Sequence, residues 1–155
     1  MCKLCWVALS SVVLLLVLFL AKFMVVGATE VSADGRTAIV VTSIQREQIL
    51  AEMRGLLEAV QTIIVANNAG DLNTVSVAAR KVGKANMSPQ SAELSSKLPI
   101  GFRKLGMDTH IRFDLLALDA DQFESPEQVY QNLGALTGTC VACHKAYRLA
   151  TSEQE

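Results

Sequence analysis

Between residues 49 and 67 the apolar positions fall at Ile49, Met53, Leu56, Val60 and Ile63, and the run ends on Asn67. Steps of four and three put these residues on one face of a helix, and Arg46, Leu50, Met53 and Leu57 trace a neighbouring stripe. The pattern predicts a first helix from about Thr37 to Asn67. Asn67-Asn68-Ala69-Gly70-Asp71 then stops it, with Gly70 as the C-terminal signal and Asp71 as the next N-cap. A shorter helix follows from Leu72 to about Ala85 through Val75, Val77-Ala78-Ala79 and Val82. Asn86 to Ser96 reads as a serine-rich loop marked by Pro89. A third helix runs from about Leu98 to Asp121, with Phe102, Leu105, Phe113 and Leu116 sharing a face. Glu124-Ser125-Pro126-Glu127 is a start signal, with Ser125 as N-cap and Pro126 at the first helical position. The last helix carries Val129, Leu133, Leu136, Cys140, Cys143 and Tyr147 at steps of 4, 3, 4, 3 and 4. Four helical segments with short connections, and no alternating strands, predict an all-α fold: an antiparallel four-helix bundle over residues 37–150.

The N-terminus follows a different pattern. Trp6 to Ala21 contains no charged residue and includes nine consecutive large apolar side chains, Val12 to Leu20. Lys3 precedes the run, and Val26-Gly27-Ala28 offers small residues where a signal peptidase reads. Residues 1–28 are therefore expected to be a signal helix cleaved after Ala28. Residues 29–36, with Asp34-Gly35 as a turn, form a flexible lead-in to the bundle. The rival is an uncleaved anchor, since Trp6 to Val26 is close to the roughly 20 residues that span a bilayer. Either way the rest of the chain is exported, and the membrane is a partner only if the segment stays.

Hydrophobic residues make up 51% of the chain, much of the excess lying in this segment, and the formal net charge is −1. Cleavage would remove Lys3 and Lys22 and no acidic residue. A nucleic-acid partner, which calls for a basic face, is not expected. Cys2 and Cys5 would leave with the signal, and Cys5 is followed by Trp6 rather than histidine. One cysteine pair remains. Few large rings are left either: Phe102, Phe113, Phe123, Tyr130 and Tyr147. Such a bundle gains from a large planar group filling its interior.

The remaining pair sits in Cys140-Val141-Ala142-Cys143-His144. C-x-x-C-H is the attachment signature of c-type haem. Thiols three residues apart lie on one side of a helical turn, where each can form a thioether to a haem vinyl group. The next histidine can then ligate the iron. A thioredoxin-like pair would need a βαβ context. Zinc would need a fourth ligand beyond Cys140, Cys143 and His144, and only His110 could supply a nitrogen. A structural disulfide would leave the histidine incidental. Export, helix and spacing together favour one covalent haem c, with the protein placed in the periplasm.

From Arg46 to Arg148 the chain resembles the cytochrome c′ family. The likeness is densest at Thr139-Cys140-Val141-Ala142-Cys143-His144-Lys145-Ala146-Tyr147-Arg148, where that family reads C-x-x-C-H-x-x-Y/F-R/K. It recurs at Arg46-Glu47-Gln48-Ile49-Leu50-Ala51-Glu52-Met53, while Met87 to Gly106 departs from it. The resemblance implies that Cys140 and Cys143 hold the haem and that His144 is the proximal ligand. It places Arg148 one turn beyond His144, as a cation near the proximal face, and Arg46 at a haem propionate. Solvated surface charge is the alternative for both arginines.

The sixth position of the iron decides the function. The family's distal position falls on Leu50, which cannot ligate, and an apolar distal pocket favours nitric oxide or carbon monoxide over anions. Met53, one turn on, is either a sixth ligand or a core methionine filling a gap. His110 lies about 80° from Phe102 on a helical wheel, at the edge of the apolar face, where it is either a boundary histidine or the other candidate ligand. Met107 points further away. Two functions follow. One is a periplasmic carrier of single electrons that docks redox partner proteins; the alternative is a five-coordinate protein that buffers or senses small gases. No distal His–Arg pair supports a peroxidase, so no enzyme is expected. The second helix carries more apolar positions than one face needs, which points to a homodimer.

Overall fold

The computed structural model describes residues 3–87, 89–123 and 125–151. Cys2, Ser88 and Glu124 of the segments named above lie outside them. The described residues are mostly helical, 77% of them, with six α-helices and a small three-stranded sheet. The mostly helical expectation holds, and the small sheet is an addition to it.

Helix α1 (Lys3–Ala21) runs into a π-helical turn (Lys22–Val26). Its apolar side chains from Trp6 to Leu20 are exposed, and among the described residues no helix is long and apolar enough to cross a membrane. The bond after Ala28, where cleavage is expected, lies inside hydrogen-bonded structure. The Ala28 N–H donates to the Lys97 carbonyl at 2.9 Å, and its carbonyl accepts from Val40 N–H at 2.8 Å. Gly27 adopts φ +67°, and a Cβ there would overlap the Lys97 carbonyl.

In place of a flexible lead-in, Thr29–Val31 forms β1, and Thr37–Val41 forms β2, antiparallel to it. The first helix therefore starts later than Thr37. The run Thr37-Ala38-Ile39-Val40-Val41 is rich in β-branched residues, which suit a pleated strand. Thr42 then caps α2 (Ser43–Asn68) through a reciprocal capping box with Gln45. Gly70, at φ +74°, ends the helix region, and Asp71 caps α3 (Leu72–Lys81) by accepting from Thr74 N–H. The loop expected over residues 86–96 is interrupted by α4 (Ala92–Lys97), capped by Ser91. Helix α5 covers Ile100–Phe123. Helix α6 (Pro126–Ala146) starts with Ser125 as N-cap and proline at its first position. The chain then leaves the helix as β3 (Tyr147–Thr151), parallel to β2 in the order β1-β2-β3. Tyr147 is thus the first residue of a strand rather than the last of the helical stripe, and Arg148 is a strand residue too.

Helices α2, α3, α5 and α6 close a ring in which α3 and α6 each touch both α2 and α5. Inside it Ile63, Val75, Ala79, Phe113, Leu116, Val129 and Leu136 are buried. A full Phe, Leu or Ile burial is worth about 1.5–3 kcal/mol, so this interior carries most of the helical stability. A second cluster forms where the sheet meets the helices, from Ile39, Val41, Ile49, Leu94 and Leu98. Met53, Phe102, Tyr147 and Leu149 pack against it. That second cluster is the floor of the site.

Candidate functional site

Two segments more than a hundred residues apart in sequence meet at the C-terminal end of α6. Just before the motif, Thr139 is buried and its hydroxyl pairs with that of Thr109 at 2.8 Å, pinning α6 to α5. Cys140 and Cys143 follow on the next turn, both as free thiols and both half-buried. Burial, and then the neighbouring Cys140, push the Cys143 thiol above its ordinary pKa. A thiol held protonated is a poor nucleophile, which disfavours a redox-active pair of the thioredoxin kind.

Tyr147 leaves α6 and stacks edge-on against Phe102, with ring centroids 5.6 Å apart at 89°. Its hydroxyl lies over Gly101 of α5, where any Cβ would overlap it. Between this corner and α2 opens a cleft of about 190 Å³. Arg46, Leu50 and Met53 of α2 face Cys143, His144 and Arg148 across it. Arg36, Phe102, Tyr147 and Leu149 complete the lining. Six of the residues singled out in the sequence are therefore brought together. Cys140 sits one turn back on α6, outside the lining.

A second cleft of about 480 Å³ adjoins the first through Arg46, Arg148 and Leu149, and adds Ser43, Glu47, Ala150 and Thr151. The inner cleft alone is smaller than the roughly 300–1,000 Å³ of sites that enclose organic ligands, while the outer one falls in that range. Met53 lines the inner cleft and also packs on the second core cluster, as a gap-filling methionine does.

His110 is elsewhere. It is 5% exposed and does not line either cleft. Its Nδ1–H donates to the Val82 carbonyl at 2.7 Å, and its Nε2 lies 3.2 Å from Glu52 Oε1. Burial pulls its pKa down, but the Glu52 hydrogen bond, the Val82 carbonyl and the charges of Glu52 and Asp114 outweigh that and raise it. Both ring nitrogens are engaged, so the structure withdraws His110 as a sixth ligand and as the fourth ligand of a zinc site. Among the described residues no group of three or more His, Cys, Asp and Glu is placed to hold a metal ion.

The arginines at the cleft have named partners. Arg46 pairs with Glu47 at 3.1 Å. Arg148 donates to Ser32 Oγ at 2.9 Å and stands 3.9 Å from Asp34. Arg36 is held by Asp34, whose carboxyl lies far below the usual carboxylate range because the Arg36 side chain and then its backbone N–H donate to it. The sequence reading gave Asp34 only a turn and Phe102 only a place on an apolar face, and it assigned no role to Arg36, Gly101 or the Thr109–Thr139 pair. A hairpin signal at Asp34 and Arg36 was present, since Asp34-Gly35 stands just before a β-branched run.

No protein-family model matches the chain, and no curated protein or solved structure matches it.

Proposed function

We propose that the protein is an exported c-type cytochrome that carries single electrons on one haem c held by Cys140 and Cys143. The observation that supports this most is the cleft itself. It sets Cys143 and His144 of the C-x-x-C-H motif opposite Leu50 and Met53, with Arg46 and Arg148 at its rim. Two free thiols one turn apart and an adjacent imidazole are the donor set that a covalent haem requires. In this reading the ring of α2, α3, α5 and α6 is the four-helix bundle of a cytochrome c′-like protein. When bound, the haem supplies a one-electron iron couple.

The chain's own residues do the rest. Cys140 and Cys143 anchor the group, His144 binds its iron, and Leu50 and Phe102 exclude water from the cleft. Arg46 and Arg148 offer guanidinium partners to its carboxylates. Export is supported by the apolar N-terminal run, with its charged residues confined to Lys3 and Lys22 at the ends.

A second function rests on a specific observation. Leu50 lines the cleft and cannot ligate, and Met53 is engaged in the core. An iron left five-coordinate there would take nitric oxide or carbon monoxide. Haem staining of a denaturing gel tests the shared claim, because thioether-bound haem survives boiling; an unstained band refutes it. The reduced absorption spectrum then separates the functions. A sharp split α/β pair marks a sixth protein ligand and a carrier, and a broad single band marks an open site.

A further inference from the structure

Helix α6 ends at Ala146, and the carbonyls of its last turn have no partner within the helix. The Cys143 carbonyl is taken by the N–H of Tyr147. The His144 carbonyl is taken from outside, by Arg36 Nη1 at 3.2 Å, and the same nitrogen reaches the Tyr147 carbonyl at 3.5 Å. Arg36 arrives there because Thr37 is the register partner of Tyr147 in the parallel ladder. The residue before β2 is thereby laid against the end of α6.

Asp34 keeps the guanidinium aimed. It accepts from Arg36 N–H at 3.1 Å, from Nε at 2.9 Å and from Nη2 at 2.6 Å, leaving Nη1 for the carbonyls. Arg148 repeats the tie in reverse, donating from β3 to Ser32 of the turn. These side chains are 36–45% exposed, and ion pairs that exposed contribute little to stability. What the arrangement fixes is direction. A simple surface pair would have no reason to reach a main-chain carbonyl 108 residues away.

We propose that Arg36, aligned by Asp34, is a positioning residue for His144. It holds the peptide that carries the imidazole at the C-terminal end of α6, and so sets the orientation of the ring toward the cleft. This rests on the reading of His144 as the iron ligand.

The experiment uses the full-length holoprotein with Arg36→Ala, Arg36→Lys and Asp34→Asn, and Arg112→Ala as a remote control that removes a comparable half-buried arginine–aspartate pair. Haem staining reports loading. Electron paramagnetic resonance of the oxidised protein reports ring orientation through its g values, and hydrogen exchange reports the Tyr147 amide. All variants are expected to stain. Arg36→Ala and Arg36→Lys should both shift or broaden the g values, because lysine keeps the charge but cannot span Asp34 and two carbonyls. The Tyr147 amide, which donates to the Cys143 carbonyl, should exchange up to about fivefold faster in Arg36→Ala, the range for losing an exposed charged contact that holds the same turn. Arg112→Ala should match the wild type.

Stained Arg36→Ala with unchanged g values and exchange overturns the positioning role and leaves the cytochrome reading standing. Full rescue by Arg36→Lys overturns it too, by reducing the role to charge. An unstained wild type removes the cytochrome reading, and this inference with it. Should Arg36→Ala fail to fold, Asp34→Asn decides: it leaves the Arg36 charge in place, a smaller shift in g values is expected, and no shift refutes the proposal.

Discussion

Glu52→Gln isolates a partly buried charge pair that joins α2 to α5. His110 Nε2 and Glu52 Oε1 are 3.2 Å apart, with side-chain exposures of 7% and 24%. At that distance and an effective dielectric near 20, the Coulomb attraction is about 5 kcal/mol. Removing both groups from water offsets much of it, leaving about 1.5–3 kcal/mol, the range for a hydrogen bond to a charged group. The sign with pH follows from the raised pKa of His110. The unfolded histidine titrates near 6.5, so the pair's contribution is fully present below that pH. It fades as pH climbs through the higher folded value. At pH 6 the Gln variant should lose about 1.5–3 kcal/mol. At an m-value of about 2 kcal/mol per M that is a urea midpoint lower by about 1 M. At pH 9 the deficit should close, because neutral Nε2 then faces Glu52 as a lone pair, and a glutamine amide can donate to it. Urea unfolding followed by helical circular dichroism, with both proteins at both pH values, measures the double difference. A deficit equal at pH 6 and pH 9, or larger at pH 9, would refute the assignment of a charged His110.

Three further substitutions test other parts of the structure. Gly27→Ala should destabilise the full-length chain by more than about 1 kcal/mol, because φ +67° is costly for alanine and its Cβ meets the Lys97 carbonyl; if the segment is cleaved after Ala28, the purified mature protein will show no change in thermal midpoint. Met53→Leu should leave the reduced spectrum as it is if Met53 serves the core, whereas loss of a split α/β pair would make it the sixth ligand. Ile39→Ala, at a fully buried strand position beneath the cleft, should cost about 2–5 kcal/mol in chemical unfolding; a cost below 1 kcal/mol would mean that the sheet is not part of the cooperative core.

What was legible in the sequence was local. The stripe from Ile49 to Ile63, the Gly70-Asp71 break and the Ser125-Pro126 start each depend on residues within a few positions, and the structure places all of them as read. The sheet escaped because its decisive pairing is parallel and joins Thr37–Val41 to Tyr147–Thr151, which no periodicity records. For the same reason Tyr147 continued the helical stripe numerically while its backbone belonged to a strand. His110 shows a different failure. A wheel angle describes one helix, and it was Glu52 on α2 and the Val82 carbonyl after α3 that drew the ring inward. Of the residues singled out in the sequence, Arg46, Leu50, Met53, Cys143, His144 and Arg148 line one cleft. Arg36 was missed because its partner lies 108 residues on.

The parallel ladder between β2 and β3 also bears on the order of assembly. Helices form from near neighbours in microseconds, whereas bringing residue 37 to residue 147 closes a loop of more than a hundred residues against chain entropy. The end of α6 can be complete while that loop is still open, with the His144 carbonyl not yet met by Arg36. Closing the ladder then works as a latch on the end of α6, and it makes β2 the last strand to reach its partner.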